Sequence, residues 1–285
     1  MRLAGHTVHA VSIGGIETCV ELPDLDLAFD IGRCPHSAIR RRRVMLTHTH
    51  MDHAGGIAYH AATRDLYKIE APTWYVPREN EADLRALIEV WRRLDRSDFP
   101  VQIVGVGPGD RVELGRGWVA SPFRSPHRVA CQGYALSRQR TRLRADLQSL
   151  DEGAIRERRL AGETVSEVHE VVEFAFTGDT LPEVIECEQS VRTARLLVIE
   201  CTFLDARVPV AKARESGHVH LDELLERAEL LQNEAILLTH FSARYGDREI
   251  VDILDRRLPA PLRERVTPLL AGRRELAEAA RAGRD

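Results

Sequence analysis

Hydrophobic and polar residues alternate in short runs through the first part of the chain. "HTVHAVSI", "IETCVEL" and "DLAFDIG" each read as a β-strand, separated by the turn signals Gly14-Gly15 and Pro23-Asp24. The period then changes. In "NEADLRALIEVWRRLDRS" the residues Leu84, Leu87, Ile88, Trp91 and Leu94 recur at helical spacing, predicting a helix with Asn80 as N-cap and Trp91 in the core. Further strand-like runs follow in "VQIVGV", "GWVASPF" and "CQGYALS". From about 138 to 170 the periodicity weakens and the chain becomes polar and Arg-rich, as an insertion would. Beyond it come "VVEFAFTGD", "RLLVIECTF", the helix "LDELLERAELL", the strand "AILLTHF" and the helix "DREIVDILDRRL". An Ala/Arg/Glu tail, expected to fray, closes the chain. Strands alternating with helices predict a layered α/β architecture with functional residues on loops at strand ends.

Composition narrows the class. With 285 residues and 44% hydrophobic content the chain can bury a substantial core. No stretch approaches the roughly 18 apolar residues of a membrane span, and the N-terminus lacks the pattern of a secretory signal. The expectation is a cytoplasmic protein with no membrane partner. Cys19, Cys34, Cys131, Cys187 and Cys201 are odd in number and form no Cys-x-x-Cys pair, so neither a disulfide framework nor a thiolate zinc site is indicated. Each is expected to be a small buried apolar residue. The net charge of -4 gives no global attraction to a polyanion, although 40 Lys plus Arg leave room for local basic patches.

One stretch concentrates the chemistry. "LTHTHMDHAGG" puts His48, His50, Asp52 and His53 within six positions, directly after the apolar run Val44-Met45-Leu46. Ligand types also follow three later strands: His127 after "WVASPFRSP", Asp179 after "EFAFTG" and His240 after "AILLT". Imidazole nitrogen and carboxylate oxygen suit zinc, and a catalytic site keeps one coordination position open. Seven such residues are too many for one tetrahedral ion and suit two. His-x-His spacing lets alternate side chains of an extended segment reach one ion, while Asp52 and His53, at the start of a predicted helix, point to a second. Asp179 can bridge them. Satisfied polar residues at strand ends would account for a lone histidine, but not for four ligand types in six positions.

"HTHMDHAGG" resembles the His-x-His-x-Asp-His signature of the metallo-β-lactamase superfamily. The resemblance continues in order. "SPHRVACQGYAL", "FTGDT", "ECTF", "SGHVH" and "LTHFSARY" are similar to successive motifs of the tRNase Z family, and "SIGGIETCVELPDLDLAFDIGRCP", "AATRDLYKI" and "KARESGHVHLDEL" look closest to its short plant members. The resemblance implies an α/β fold, the four-layer αββα sandwich, with a flexible arm inserted at about 138–170 into a single domain spanning 1–285. It assigns His48, His50 and His127 to one zinc and Asp52, His53 and His240 to the other, with Asp179 shared. Two Zn2+ per chain are implied, with Mn2+ or another divalent ion as the alternative. Asp52 would accept a proton from the attacking water. His218 would act without binding metal, as an acid or a stabiliser of charge, and Glu200 would orient it; His220 is its neighbouring decoy. Asp30, ending "LAFDIG", would fix the ligand loop.

The implied activity is hydrolysis of precursor tRNA after the discriminator by a homodimer, leaving a tRNA 3′-hydroxyl and a 5′-phosphate on the trailer. In the arm "SRQRTRLRADLQSLDEGAIRERRLAGETVSEVHE", Arg138, Arg140, Arg142 and Arg144 alternate, so an extended strand projects all four to one face as a phosphate-binding ridge. Seven acidic residues in the segment balance that charge, which leaves a solvated hairpin as the other reading. Two further function classes stay open. One is a superfamily hydrolase of a small ester, lactone or cyclic nucleotide; the other is an RNA-binding or scaffold protein with a vestigial site. Bacterial short forms often carry a Pro-x-Lys-x-Arg-Asn loop near the N-terminus, whereas this chain has "SIGGIETCVEL" there. His6, His9, His36, His60 and His169 match no motif, and "RRRR" at 40–43 is expected to be the solvated end of a helix.

Overall fold

The computed structural model describes residues 1–273. A two-stranded hairpin of β1 (Arg2–Leu3) and β2 (His6–Thr7) precedes two larger sheets. The first runs in sequence order: β3 (His9–Ile13), β4 (Glu17–Leu22), β5 (Leu27–Phe29), β6 (Arg43–Met45), β7 (Thr73–Pro77) and β8 (Gln102–Val106). Its first three strands are antiparallel, and β5 to β8 are parallel. The second repeats that scheme. Its strands β9 (Val112–Gly115), β10 (Trp118–Arg124), β11 (Gln132–Leu143) and β12 (Ser166–Phe176) are antiparallel; β13 (Leu196–Glu200), β14 (Ala235–Thr239) and β15 (Val266–Pro268) then follow β12 in parallel.

Three apolar clusters make the layers. Val20, Leu27, Phe29 and Met45 of the first sheet meet Tyr134, Phe174, Phe176, Leu196 and Leu237 of the second, with Phe29 stacked on Phe174 at 5.2 Å. The outer face of the first sheet is covered by α1 (Met51–Ala54), α2 (Ile57–Leu66) and α3 (Glu81–Asp95), through Ile57, Ala61, Leu84 and Ile88. Beyond α4 (Glu152–Leu160) in the arm, the second sheet is covered by α5 (Val184–Cys187), α6 (Gln189–Thr193), α8 (Leu221–Glu226) and α9 (Asp247–Arg257), with α7 (Val210–Ser216) between α6 and α8 in the chain. This is the αββα sandwich. Parallel strands need crossover connections, which the helices supply, so ligand-bearing loops gather at one edge of both sheets. No helix among the described residues is long and apolar enough to cross a membrane.

Several expectations change. The predicted helix forms as α3 with Asn80 at its N-cap position, but the Asn80 side chain makes no capping bond. Trp91 is not in the core. It is 45% exposed and Leu94 70%, because only Leu84 and Ile88 of α3 reach the sheet. The arginines at 40–43 close a 3-10 turn, His36–Arg40, rather than a helix. Arg41 pairs with buried Glu21 at 3.1 Å and Arg42 with Glu70 at 2.7 Å, so they tie the loop down locally. Cys187 is exposed rather than buried. The weakly periodic arm is ordered: β11 and β12 extend as a ribbon beyond the edge of β10, and α4 lies at its tip. The Ala/Arg/Glu tail from 274 onward lies outside the described residues.

Candidate metal centre and active site

The loop after β6 enters α1, so His48 and His50 leave an extended segment while Asp52 and His53 sit in the first helical turn. The loops after β10, β12 and β14 deliver His127, Asp179 and His240 to the same place. Ligand atoms of His48, His50, His127 and Asp179 lie within 4.8 Å of one another, as do those of Asp52, His53 and His240. Asp179 stands between the two sets. Its Oδ2 is 3.7 Å from His48 Nε2, and its Oδ1 is 3.3 Å from His53 Nε2 and 3.4 Å from His240 Nε2. The seven residues expected from the sequence are therefore brought together in the expected grouping.

Hydrogen bonds behind the basin aim the rings. The Nδ1 atoms of His48, His53, His127 and His240 lie 3.0, 2.8, 2.8 and 2.9 Å from Thr47 Oγ1, Asp30 Oδ2, Gly217 O and Thr202 Oγ1. A carbonyl and a carboxylate accept only, so His127 and His53 donate from Nδ1; the same tautomer suits the threonine partners, whose hydroxyls donate onward to Asp30 and Glu200. Each ring is left with its Nε2 lone pair facing the basin. His50 is turned the other way, its Nδ1 lying 3.0 and 3.4 Å from the Nε2 atoms of His48 and His127. His53 Nε2 is buried without a hydrogen-bond partner. Such an atom is costly unless something coordinates it, and a hard or borderline cation fits this donor set. Burial lowers the pKa of His48, His50 and His127, favouring the neutral imidazole that binds metal.

The backbone is constrained to make these approaches. Asp30 and His240 occupy left-handed conformations, with φ of 55° and 60°. Asp30 accepts from Thr47 N at 2.7 Å as well as from His53, which is the loop-fixing role expected of it. Gly217 has φ +81°, and a Cβ there would lie 2.7 Å from His127 Nδ1. Gly178, with φ +61°, leaves no room for a Cβ beside Thr47.

His218 borders the basin. Its Nδ1 is 2.9 Å from Glu200 Oε1 and 3.9 Å from Asp179 Oδ2. Asp179, His218 and His240 would also satisfy a three-ligand grouping, but with Nδ1 taken by Glu200 only His218 Nε2 could contribute. Glu200 is saturated by Thr180 N, Thr202 Oγ1, Val219 N and His218. Burial alone would depress the His218 pKa; the adjacent Glu200 carboxylate outweighs it and pushes the value up to about 9. His220 points elsewhere and caps α8, accepting from Asp222 N at 3.1 Å. Sequence reasoning missed Thr47, Thr202, Gly178 and Gly217. Only their adjacency to the ligands could have flagged them.

Arg138, Arg140 and Arg142 alternate along β11, whereas Arg144 lies just past its last residue, Leu143, and leads into a 3-10 turn, so the expected ridge holds three of the four on the strand; each of the four has a partner. Arg138 lies over Trp118, with 5.6 Å between guanidinium carbon and ring centre; Arg140 pairs with Glu173, Arg142 with Glu167 at 2.7 Å and Arg144 with Asp146 at 2.7 Å.

Comparison with known proteins agrees with this geometry. Residues 33–241 match the family described as the β-lactamase superfamily domain. The tRNase Z TRZ1 of Arabidopsis thaliana is 39% identical over 95% of this chain and 98% of its own length, and a chloroplastic tRNase Z of that plant is 33% identical over 95% of this chain and 77% of its own. In fold, the chain is similar to human short-form tRNase Z, with TM-score 0.54 and 18% identity over 93% of this chain and 90% of that one. The Bacillus subtilis metallo-β-lactamase fold protein YhfI superposes with TM-score 0.59 and 17% identity over 92% and 95% of the two chains. Divalent-metal binding goes with that fold and with the His/Asp cluster found here. By its sequence, its sandwich and its ordered motifs, the chain belongs to the tRNase Z family of the metallo-β-lactamase superfamily.

Proposed function

We propose that this chain is a metal-dependent endoribonuclease that removes the 3′ trailer of precursor tRNA, hydrolysing the phosphodiester after the discriminator. The observation that carries the reading is His218, held by Glu200 at the edge of a basin with two sets of metal ligands. His48, His50 and His127 would hold one ion and Asp52, His53 and His240 the other, with Asp179 within reach of both. Two Zn2+, or Mn2+ or another divalent pair, would activate water and neutralise charge on the phosphoryl group.

The chain's own groups divide the proton work. Burial would raise the Asp52 pKa, but His240 and His53 hold its carboxyl below the usual range, and Gly15 N fixes its Oδ2 at 2.9 Å. It is thus ionised and placed to accept the proton of the attacking water. His218 carries a proton at neutral pH and delivers it from Nε2 to the departing 3′-oxygen. Water oxygen ends on the trailer's 5′-phosphate, and the tRNA keeps a 3′-hydroxyl. In this reading the ribbon beyond Arg138 is the arm of a single domain and meets tRNA phosphates through its arginines. A cytoplasmic location accords with that substrate.

A homodimer accounts for two features. The arm leaves β11 at the end opposite His127, pointing away from its own basin. Leu87, Val90, Trp91 and Leu94 expose an apolar row on α3, whose first turn carries Glu81 and Asp83 and whose last carries Arg92 and Arg93. Two such helices packed antiparallel about a two-fold axis bury the row and set acidic ends against basic ones. Trp91→Glu is expected to leave a monomer by light scattering; an undissociated dimer would overturn this interface. For the metals, analysis should find close to two ions per loaded chain, with Asp179→Ala lowering occupancy of both. One ion in fully loaded wild-type protein would sink the dinuclear assignment.

A further inference from the structure

Beside the metal ligands, on the side of His127, a second cleft of about 850 Å3 opens. It runs from His127 through Arg124–Pro126 to the loops after β7 and β8, at Pro77–Glu79 and Val106–Pro108. Many arginines among the described residues are tied into ion pairs. Arg78, on the cleft wall, is held by Asp110. Arg124, on the same wall, is exposed, and its side chain has neither ion pair nor hydrogen bond among the described residues. Arg128, next to His127, is equally exposed and unpaired among them. Its stem lies against Gly217, where a Cβ would come within 3.0 Å of Arg128 Cγ, and its charge reaches His50. Two uncommitted cations therefore flank the metal ligand His127: Arg124 on the cleft wall, and Arg128 in the chain between the lining residues His127 and Val129, with its stem toward Gly217.

We propose that this cleft is the binding site for the 3′ trailer of the substrate, with Arg124 and Arg128 contacting its phosphates. The inference rests on the endoribonuclease reading above and specifies which side of the scissile bond the cleft receives. The acceptor stem is an A-form duplex, which proteins read from its outer surface, whereas the trailer beyond the discriminator is a single strand that can thread a narrow cleft. The walls suit unpaired nucleotides. Pro77, Val106, Pro108, Pro126 and Val129 give apolar surface for base faces, and among the described residues the lining has no Phe, Tyr or Trp ring. Trailer length, rather than trailer sequence, should then govern affinity. Glu79 is the one carboxylate of the lining among the described residues and repels a phosphate beside it, which leaves the two arginines as the anchoring charges.

The test is a series of precursor tRNAs identical but for trailers of one, three and ten nucleotides, cleaved by wild-type protein, by Arg124→Ala/Arg128→Ala and by Arg124→Lys/Arg128→Lys. Metal content of each is measured first. The alanine variant is expected to lose affinity for the longest trailer about tenfold more than for the shortest, mainly in KM. Its log–log salt slope on the long trailer should fall by about 0.7 per lost contact, the value for single strands. The lysine variant should recover most of both. Equal losses at every trailer length would assign the arginines to the tRNA body and overturn the proposal, and so would no loss at all. If wild-type protein cleaves none of the precursors, the endoribonuclease reading itself fails, and the trailer site with it.

Discussion

Replacing Arg142 and Arg144 together with alanine separates a tRNA-binding arm from a solvated hairpin. Beyond the Arg138–Trp118 register β11 has only β12 as a neighbour, so residues 139–143 form a free ribbon about 16 Å long at 3.3 Å per residue. The basin lies at the other end of β11, about 36 Å away on the same rise from Gln132 to Leu143. The four arginines are not equivalent. Arg140 pairs with Glu173, which is 1% exposed and also held by Arg195 at 2.9 Å, and Arg138 is stacked on Trp118, so both belong to the base of the ribbon. Arg142–Glu167 and Arg144–Asp146 are half-exposed pairs of the kind worth about 0–1 kcal/mol, which an incoming phosphate can displace. Losing two phosphate contacts lowers the slope of log affinity against log salt by about 1.4–1.8. At 0.1 M salt that corresponds to roughly 25- to 60-fold in affinity, reduced by the cost of breaking two ion pairs in the wild type. The slope is the sharper readout, because the broken pairs enter it little. Precursor-tRNA binding by anisotropy over roughly 50–400 mM salt measures it. Turnover of bis(p-nitrophenyl) phosphate, which cannot span that distance, should change little. Arg138→Ala/Arg140→Ala should alter the slope less and the melting temperature more. An unchanged slope in the Arg142/Arg144 variant would refute phosphate binding by the arm.

Two further outcomes follow from individual side chains. His218→Ala should lose phosphodiester cleavage by about 10²- to 10⁴-fold while retaining its metal, and Glu200→Gln should follow it with a shifted pH profile, whereas His220→Ala should cost about 1 kcal/mol of stability as a lost helix cap. Loss of an ion from His218→Ala, seen by metal analysis, would make His218 a ligand instead. His60 is buried, accepts from Trp74 Nε1 and donates to Arg41 O; burial and then Arg64 bring its pKa down to about 4. The folded state keeps it neutral while the unfolded chain protonates near pH 6.5, so its contribution of about 3 kcal/mol is full above pH 6.5 and is lost as pH falls toward 4. Urea unfolding of His60→Gln should show a flatter pH dependence across that window, and an identical slope would remove His60 from the acid response.

The ligands were legible because imidazoles and carboxylates crowded at strand ends desolvate and repel one another unless a cation sits among them. What holds them was not. Thr47, Thr202 and Gly217 acquire their roles only when loops after β6, β13 and α7 meet across two sheets, and nothing local marks a threonine that supports a ring. Trp91 shows a different limit. A helical apolar stripe marks a face that avoids water without saying whether the chain's own fold covers it, and here only Leu84 and Ile88 are covered. The arm's strands were obscured because Arg140 and Arg142 pair with Glu173 and Glu167 across a ribbon with little core to bury, so alternation carries charge rather than hydrophobicity.

Mapping the cut tests the hydrolysis of precursor tRNA after the discriminator most directly. Metal-loaded wild-type protein is incubated with a precursor tRNA of known trailer, and both product ends are sequenced and their termini identified. The expected products are a tRNA ending at the discriminator with a 3′-hydroxyl and a trailer with a 5′-phosphate. An intact precursor under conditions where bis(p-nitrophenyl) phosphate is hydrolysed, or a tRNA ending in a 3′-phosphate, would contradict it.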